Sequence, residues 1–314
     1  LKIKEKIERM REFHITYNQD IRRTSKDKDI ELLSKSANRY NVLTKCINSS
    51  ELWKENKCPS YIMNISFLNE THLRYHRWCE INGSRYLNPA FSTMIADDKG
   101  LSHLEMKNLG LIVPKTLDLN LAWRDVRMLD KISDELKFPM VIKPPKCGLG
   151  IGVHLIQNRN ELESLFNLLW TTNILYNDNF SINNFIIQEY IPNSNIGLRV
   201  IAINKRVVAA AKRTISNSWN LKGTFLLDSS IINKTEYKHN EIIYEKYPLD
   251  LELTNGVEKI VNHFNLRFAG IDVMFHKNGY CYNEINTIAG LWKMNALFDN
   301  LNIIDSIFDT IYHQ

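Results

Sequence analysis

Three oxygen-bearing side chains late in the 314-residue sequence, Asp272, Glu284 and Asn286, are spaced so that they can meet on one ribbon. The segments FAGIDVMF (268–275) and CYNEIN (281–286) read as two strands joined across Lys277-Asn278-Gly279, a turn signal. Residues i and i+2 of a strand share a face, so Glu284 and Asn286 point one way, and Asp272 lies on the partner strand. Hard oxygens of this kind suit Mg²⁺, which takes one or two carboxylates and fills its shell with water and phosphate. The plain alternative is a solvent-facing strand with two unrelated acids. Both acids sit in apolar runs, however, and a buried acid needs a partner.

A second cluster starts at Lys143, which ends the apolar run 138–142 and precedes Gly148, Gly150 and Gly152. Alternate glycines let the backbone approach a ligand closely, and successive N–H groups can cradle phosphate oxygens. The lysine adds a positive point charge. The pattern is neither GxxxxGK[ST] nor a dinucleotide fingerprint, since it leads into a strand rather than a helix. Taken by itself, such a loop reads by default as an ordinary hairpin. Arg199 and Lys212 fall on the arms of a predicted hairpin (198–203 and 206–212) turning at Asn204-Lys205, and Arg213 follows directly on the second arm. They can steady a transferring phosphate and developing oxyanion charge, or form surface ion pairs. His72 and His76 stand four apart near Cys79, but no third ligand and no HExxH accompany them, so a packed or surface pair is the plain reading. Cys147 reads as a packing or incidental residue, and no GxSxG elbow is present.

These residues need a large framework, and the composition provides one. The chain is 44% hydrophobic and 24% charged, which excludes disorder. No apolar run approaches the ~18 residues of a membrane span. The opening residues carry no signal-peptide pattern, and five cysteines without a CxxC pair read as reduced thiols; a cytoplasmic location is expected. The net charge of +5 lies entirely in residues 1–60, which hold 14 basic and 9 acidic residues. Its densest part is Arg22, Arg23, Lys26 and Lys28, which reads as a solvated helix face or a docking patch for an acidic peptide or carrier. Nucleic-acid and membrane partners are not expected. Residues 1–12 read as a short amphipathic helix; 13–17, 41–47 and 61–67 as strands; and 27–40 as a helix, together a small parallel α/β unit. Helices are predicted over 96–109, 121–136, 161–170, 249–264 and 294–312, and further strands over 138–143, 153–157 and 185–191.

Six segments occur in a fixed order: ADDKG (96–100), GLIVPKT (110–116), FPMVIKPPKCGLGIGV (138–153), IIQEYI (186–191), LRVIAINKRVVAAAKR (198–213) and FAGIDVMF…CYNEINTIAG (268–290). That order resembles the ATP-grasp superfamily and, within it, the RimK-type carboxylate–amine ligases. Those include glutamate ligases acting on ribosomal protein tails and ligases of carrier-protein lysine biosynthesis. Residues 1–90 match only in strand–helix rhythm. The resemblance implies an α/β ATP-grasp fold: a small N-terminal parallel α/β domain (1–92), a central lobe with the Gly-rich loop (93–187) and a C-terminal lobe with the metal site (188–314). It implies that Lys99 and Lys143 contact ATP phosphates and that Gly148, Gly150 and Gly152 close over them. Glu189 and Ile191 would meet the adenine, Arg199 and Arg213 would steady the γ-phosphate and an acyl phosphate, and Asp272, Glu284 and Asn286 would hold Mg²⁺ or Mn²⁺.

The implied reaction joins a small carboxylate or amino acid to an amine acceptor, with ATP consumed and an acyl phosphate between. The acceptor extends to a peptide or acidic carrier protein, and a homo-oligomer is left open. A ligase that crosslinks a ribosomal precursor peptide, and a nucleotide-binding scaffold without turnover, are the alternative readings. Several positions depart from the pattern. Gly197 stands where an acid is usual, and 192–195 offers no acid to the ribose. A second arginine is replaced near Trp219, Asn220 and Lys222. Ala289 stands where the D-alanine–D-alanine ligase version of this segment has proline. The segment 216–224 shapes the acceptor site in the family, so an unusual substrate is expected.

Overall fold

The computed structural model describes residues 11–17, 24–65, 70–119, 127–146, 152–176, 185–192, 194–215, 242–288 and 290–313. The chain opens with β1 (Arg11–Tyr17), α1 (Thr24–Arg39) and β2 (Val42–Asn48). A 3-10 turn (Ser49–Lys54) leads to β3 (Tyr61–Asn64), α2 (Glu70–Ile81) and β4 (Arg85–Tyr86). The four strands form a parallel sheet in the order β2-β1-β3-β4. A parallel sheet is covered on both faces, which is why Phe13, His14, Ile15 and Thr16 are consecutive and all buried. The expected helix over 1–12 is corrected at its end: Arg11 and Glu12 already belong to β1, and residues 1–10 lie outside the described residues.

A short helix that was not expected, α3 (Ala90–Ala96), precedes α4 (Lys99–Asn108), the helix expected over 96–109, which starts three residues later. The break comes from Asp98. Its carboxylate accepts N–H bonds from Gly100 (3.0 Å) and Leu101 (3.1 Å), so it caps a new helix instead of continuing the old one. Gly110 then ends α4 at φ +77°, as its type predicts. The middle of the chain holds β5 (Thr116–Asp118), α5 (Met128–Glu135), β6 (Met140–Lys143), β7 (His154–Ile156), α6 (Arg159–Tyr176) and β8 (Ile186–Glu189). These strands form an antiparallel sheet, β5-β8-β6-β7, over a core of Leu119, Ile132, Met140, Ile156 and Leu162.

The last part comprises β9 (Ile196–Ile203), β10 (Arg206–Ile215), β11 (Ile242–Lys246), α7 (Leu251–His263), β12 (Phe268–His276), β13 (Gly279–Asn286), α8 (Leu291–Leu297) and α9 (Ile303–Tyr312). Its antiparallel sheet runs β11-β10-β9-β12-β13. Asn204 and Lys205 both take positive φ, the conformation a two-residue hairpin turn needs. The single helix expected over 294–312 is interrupted at Asn302, whose φ of 44° turns the chain between α8 and α9. Helix α9 then packs on the first sheet: Phe308 meets Phe13 edge-on at 5.3 Å, and Tyr312 stacks on Tyr61 at 5.7 Å. Among the described residues no helix is long and apolar enough to cross a membrane.

Candidate active site

Register assembles the site. Asp272 on β12 lies directly opposite Arg199 on β9 and Glu284 on β13, and Arg213 on β10 lies opposite Gly197. Opposed residues share a face, so all four charged side chains emerge together. Arg199 grips Asp272 with a fork, Nε to Oδ1 at 2.6 Å and Nη2 to Oδ2 at 2.9 Å. Arg213 Nη2 reaches the same Oδ1 at 2.8 Å. Arg213 reaches Asp272 across β9, where the residue opposite it is Gly197. Burial is the largest single influence and lowers the Arg199 pKa, but the charge and hydrogen bonds of Asp272, with Tyr244 and Glu284, together outweigh it and the net shift is upward, so Arg199 stays charged.

Lys99 and Lys143 converge on β13. Lys99, the first residue of α4, places Nζ 3.3 Å from Glu284 Oε1 and 3.3 Å from the Pro145 carbonyl oxygen. Lys143, the last residue of β6, donates to Asn283 Oδ1 at 3.3 Å. Asn283 is an extra residue in a β-bulge: Asp272 opposes Glu284, yet Val273 opposes Tyr282. The bulge reverses the alternation. Tyr282 joins the core under α7, while Glu284, two positions on, joins the charged face. The Asn283 carbonyl accepts a 2.6 Å bond from His103 Nε2, and Gln188 Nε2 donates to His103 Nδ1 at 2.9 Å. That pattern needs a neutral ring, and burial holds the His103 pKa down at about 3.

Behind the site, Asp97 Oδ1 accepts bonds from the Thr287 hydroxyl (2.8 Å) and amide (3.4 Å). Burial pushes its carboxyl up to about 6 in spite of those bonds. Asp97 Oδ2, Arg213 Nε and Asn286 Nδ2 are buried with no hydrogen-bond partner among the described residues. Asp272, Glu284 and Asn286 offer two carboxylates and an amide oxygen on one face of paired strands, while the unsatisfied N–H groups of Arg213 and Asn286 beside them call for an acceptor. That donor set fits a hard divalent cation.

The expected site residues fall into three groups. Lys99, Lys143, Arg199, Arg213, Asp272 and Glu284 come together, and Asn286 lies two residues along the same strand face. Asp272 also has a role the spacing did not reveal, as the anion that fixes both arginines. Glu189 and Ile191 lie at and just beyond the end of β8. The Glu189 carboxylate is used structurally, accepting the Lys115 N–H at 2.7 Å, and Ile191 is buried. Gly152 (φ +71°) sits where a Cβ would come within 2.9 Å of the Pro144 ring. Gly148, Gly150, Cys147, Ala289 and the segment 216–224 lie outside the described residues. His72 and His76 are a core pair. Both are buried, His76 Nε2 lies 3.0 Å from Thr16 Oγ1, and desolvation pushes their pKa values down to about 4 and 3. Sequence reading missed Asn283, His103 and Asp97. The only signal for them was position, beside Glu284 and just before and after Lys99.

A family model described as the RimK-like ATP-grasp domain matches residues 96–311, well over half of the chain. The chain belongs to the RimK-like ATP-grasp family. Members of this family are ATP-dependent ligases, and the carboxylate–amine ligase class expected from the motifs is the one found. An uncharacterized protein of Mycoplasma genitalium is 23% identical, over 96% of this chain and 100% of that one. The structure of D-alanine–D-alanine ligase from Bacillus anthracis aligns with a TM-score of 0.71 at 17% identity, covering 97% of this chain and 96% of that one. The macrocyclase MdnC of Microcystis aeruginosa, solved with the precursor peptide MdnA, aligns with a TM-score of 0.63 at 15% identity, covering 97% and 100%. The ATP-grasp fold expected from the sequence is thereby shown.

Proposed function

We propose that this RimK-like ATP-grasp protein forms an amide or peptide bond from a carboxylate and an amine by way of an acyl phosphate, with ATP bound between the units 93–187 and 188–314. One observation carries the reading. Four cations, Lys99, Lys143, Arg199 and Arg213, gather around two carboxylates, and three of the four are buried. The buried Arg213 Nε has no hydrogen-bond partner among the described residues, and a phosphate oxygen is an acceptor that would complete it.

A carboxylate oxygen of the first substrate attacks the γ-phosphorus, and the bond to ADP breaks. The amine then attacks the acyl carbon, inorganic phosphate leaves, and the nitrogen gives up a proton. Arg199 and Arg213, locked by Asp272, offset charge on the phosphoryl group and on the tetrahedral oxyanion without reorganising. Lys99 and Lys143 hold the phosphates. Asp272, Glu284 and Asn286 would hold Mg²⁺, which supplies charge neutralisation during phosphoryl transfer. The Gly148–Gly152 loop would keep water from the acyl phosphate. The reading includes a cytoplasmic location, where ATP and reduced thiols coexist.

The test is ADP release across a panel of acids and amines, with mass spectrometry of the products. Release that requires both partners, with a product mass equal to their sum less water, is expected. ATP binding without release from any pair would instead support a nucleotide-binding scaffold and overturn the ligase. The likeness to a macrocyclase solved with its precursor favours a second acceptor class, a peptide joined within itself. Loss of one water from a single peptide would identify it.

A further inference from the structure

The acidic partner considered from the sequence now has a surface on which to lie. We propose that a strip of alternating cations and aromatic rings, running from Arg213 to Lys28, docks an acidic peptide segment and delivers it to the ligase site. This rests on the ligase reading and names its substrate class.

The strip begins in the site. Tyr244 on β11 lies directly opposite Arg213 and so shares the face that carries Asp272. Lys293 Nζ lies 5.1 Å from the Tyr244 ring and 5.5 Å from the Trp292 ring. Lys28 Nζ lies 4.4 Å from the other end of the series, the same Trp292 ring. Both lysines are exposed, while both rings are half-buried. The arrangement is anchored: Asp29, 1% exposed, accepts the N–H groups of Leu291 (3.2 Å) and Trp292 (2.9 Å). That buried carboxylate ties α1 to the start of α8, and Lys28, its neighbour, is set over the indole as a result.

Two neighbouring acids make their ion pairs elsewhere. Glu31, one helical turn from Lys28, pairs with Lys35 at 2.5 Å. Glu245, beside Tyr244, alternates to the opposite face and pairs with Lys212 at 3.5 Å. Among the described residues Lys28 and Lys293 have ring contacts and no carboxylate within ion-pair distance. A strip of this kind offers ammonium groups to side-chain carboxylates and flat apolar plates to the chain between them. It ends at the two arginines assigned to a carboxylate in the act of phosphorylation. That end point favours a peptide rich in Asp and Glu over a nucleic acid, which has no carboxylate to activate.

The test is calorimetric titration of the full chain with an oligoglutamate peptide at low and high salt. Oligoglutamine and polyuridylate serve as comparison probes. Binding of oligoglutamate that weakens with salt is expected. The double variant Lys28→Glu, Lys293→Glu is expected to weaken it about tenfold. The variant Lys57→Glu, Lys277→Glu carries the same change in net charge at exposed positions off the strip, and is expected to bind as wild type does. Equal loss in both variants, equal or tighter binding of polyuridylate or oligoglutamine, or no oligoglutamate binding would each overturn the strip. ADP release by the wild-type chain with free acids and amines is read separately. Absence of release with free acids and also with oligoglutamate and amines would remove the ligase reading without touching peptide binding, whereas turnover of free acids without peptide binding would remove only the strip.

Discussion

On one face of the five-stranded sheet, Leu198, Val200, Ile271 and Val273 meet Val257 and Ile260 of α7; on the other, Arg199, Arg213, Asp272 and Glu284 crowd together. The same strands supply both faces. The apolar face follows area: each fully buried side chain contributes about 1.5–3 kcal/mol. Its fit is close, since a Cβ on Gly256 would fall 1.7 Å from the Tyr282 hydroxyl oxygen. The charged face follows another logic. Buried ion pairs add little net stability over apolar residues of similar size, but removing one member is costly. One face packs on α7; the other is apolar at one end, where Ile201, Ile203, Ala211 and Phe268 are buried, and gathers charge at the other end.

The sharpest way to break this contrast is Asp272→Ala. It leaves two arginines packed together with no anion, and it is expected to cost about 3–5 kcal/mol in urea unfolding as well as turnover. Loss of turnover at unchanged stability would show that the arginines do not depend on Asp272. Gly256→Ala addresses the apolar face, with an expected cost of about 1–3 kcal/mol from overpacking. Turnover of the folded fraction should stay near wild type; a catalytic defect without a stability defect would mean that the faces are coupled.

A smaller effect tests the seam where α4 meets β13. His103 titrates near 3 when folded, against an ordinary 6.5. As pH falls below about 6.5 the unfolded chain takes up a proton that the folded ring refuses, so stability drops by about 1.4 kcal/mol per pH unit down to its folded value. Asp97, raised to about 6, has the opposite sign. Between its ordinary 3.8 and about 6 the folded carboxyl holds a proton the unfolded one has lost, so its contribution falls as pH rises. Urea midpoints against pH should therefore flatten on the acid side in His103→Gln and steepen in Asp97→Asn. Parallel curves for all three proteins would refute the buried, neutral histidine.

How much of this was legible in the sequence depended on range. Turn chemistry at Asn204-Lys205 and at Lys277-Asn278-Gly279 fixed two hairpins, and with them the opposition of Asp272 and Glu284. The bulge at Asn283 was hidden, because CYNEIN reads as plain alternation while the register shifts by one residue inside it. Nothing local marked Asn283 as the point where Lys143 and His103 dock, since that contact joins residues 140 and 180 positions apart. Helix ends set by caps were misplaced where apolar spacing ran on through them, at Asp98 and at Asn302. The packing of α9 on β1 joins the two ends of the chain and left no periodic trace.

The most direct measurement is ADP release by wild type and Glu284→Gln, run beside circular dichroism of both proteins. If the charged face exists to handle a triphosphate, the variant should keep its fold and lose release by about a hundredfold or more, the equivalent of a few kcal/mol of charge stabilisation. A folded Glu284→Gln protein that releases ADP at the wild-type rate would contradict the account.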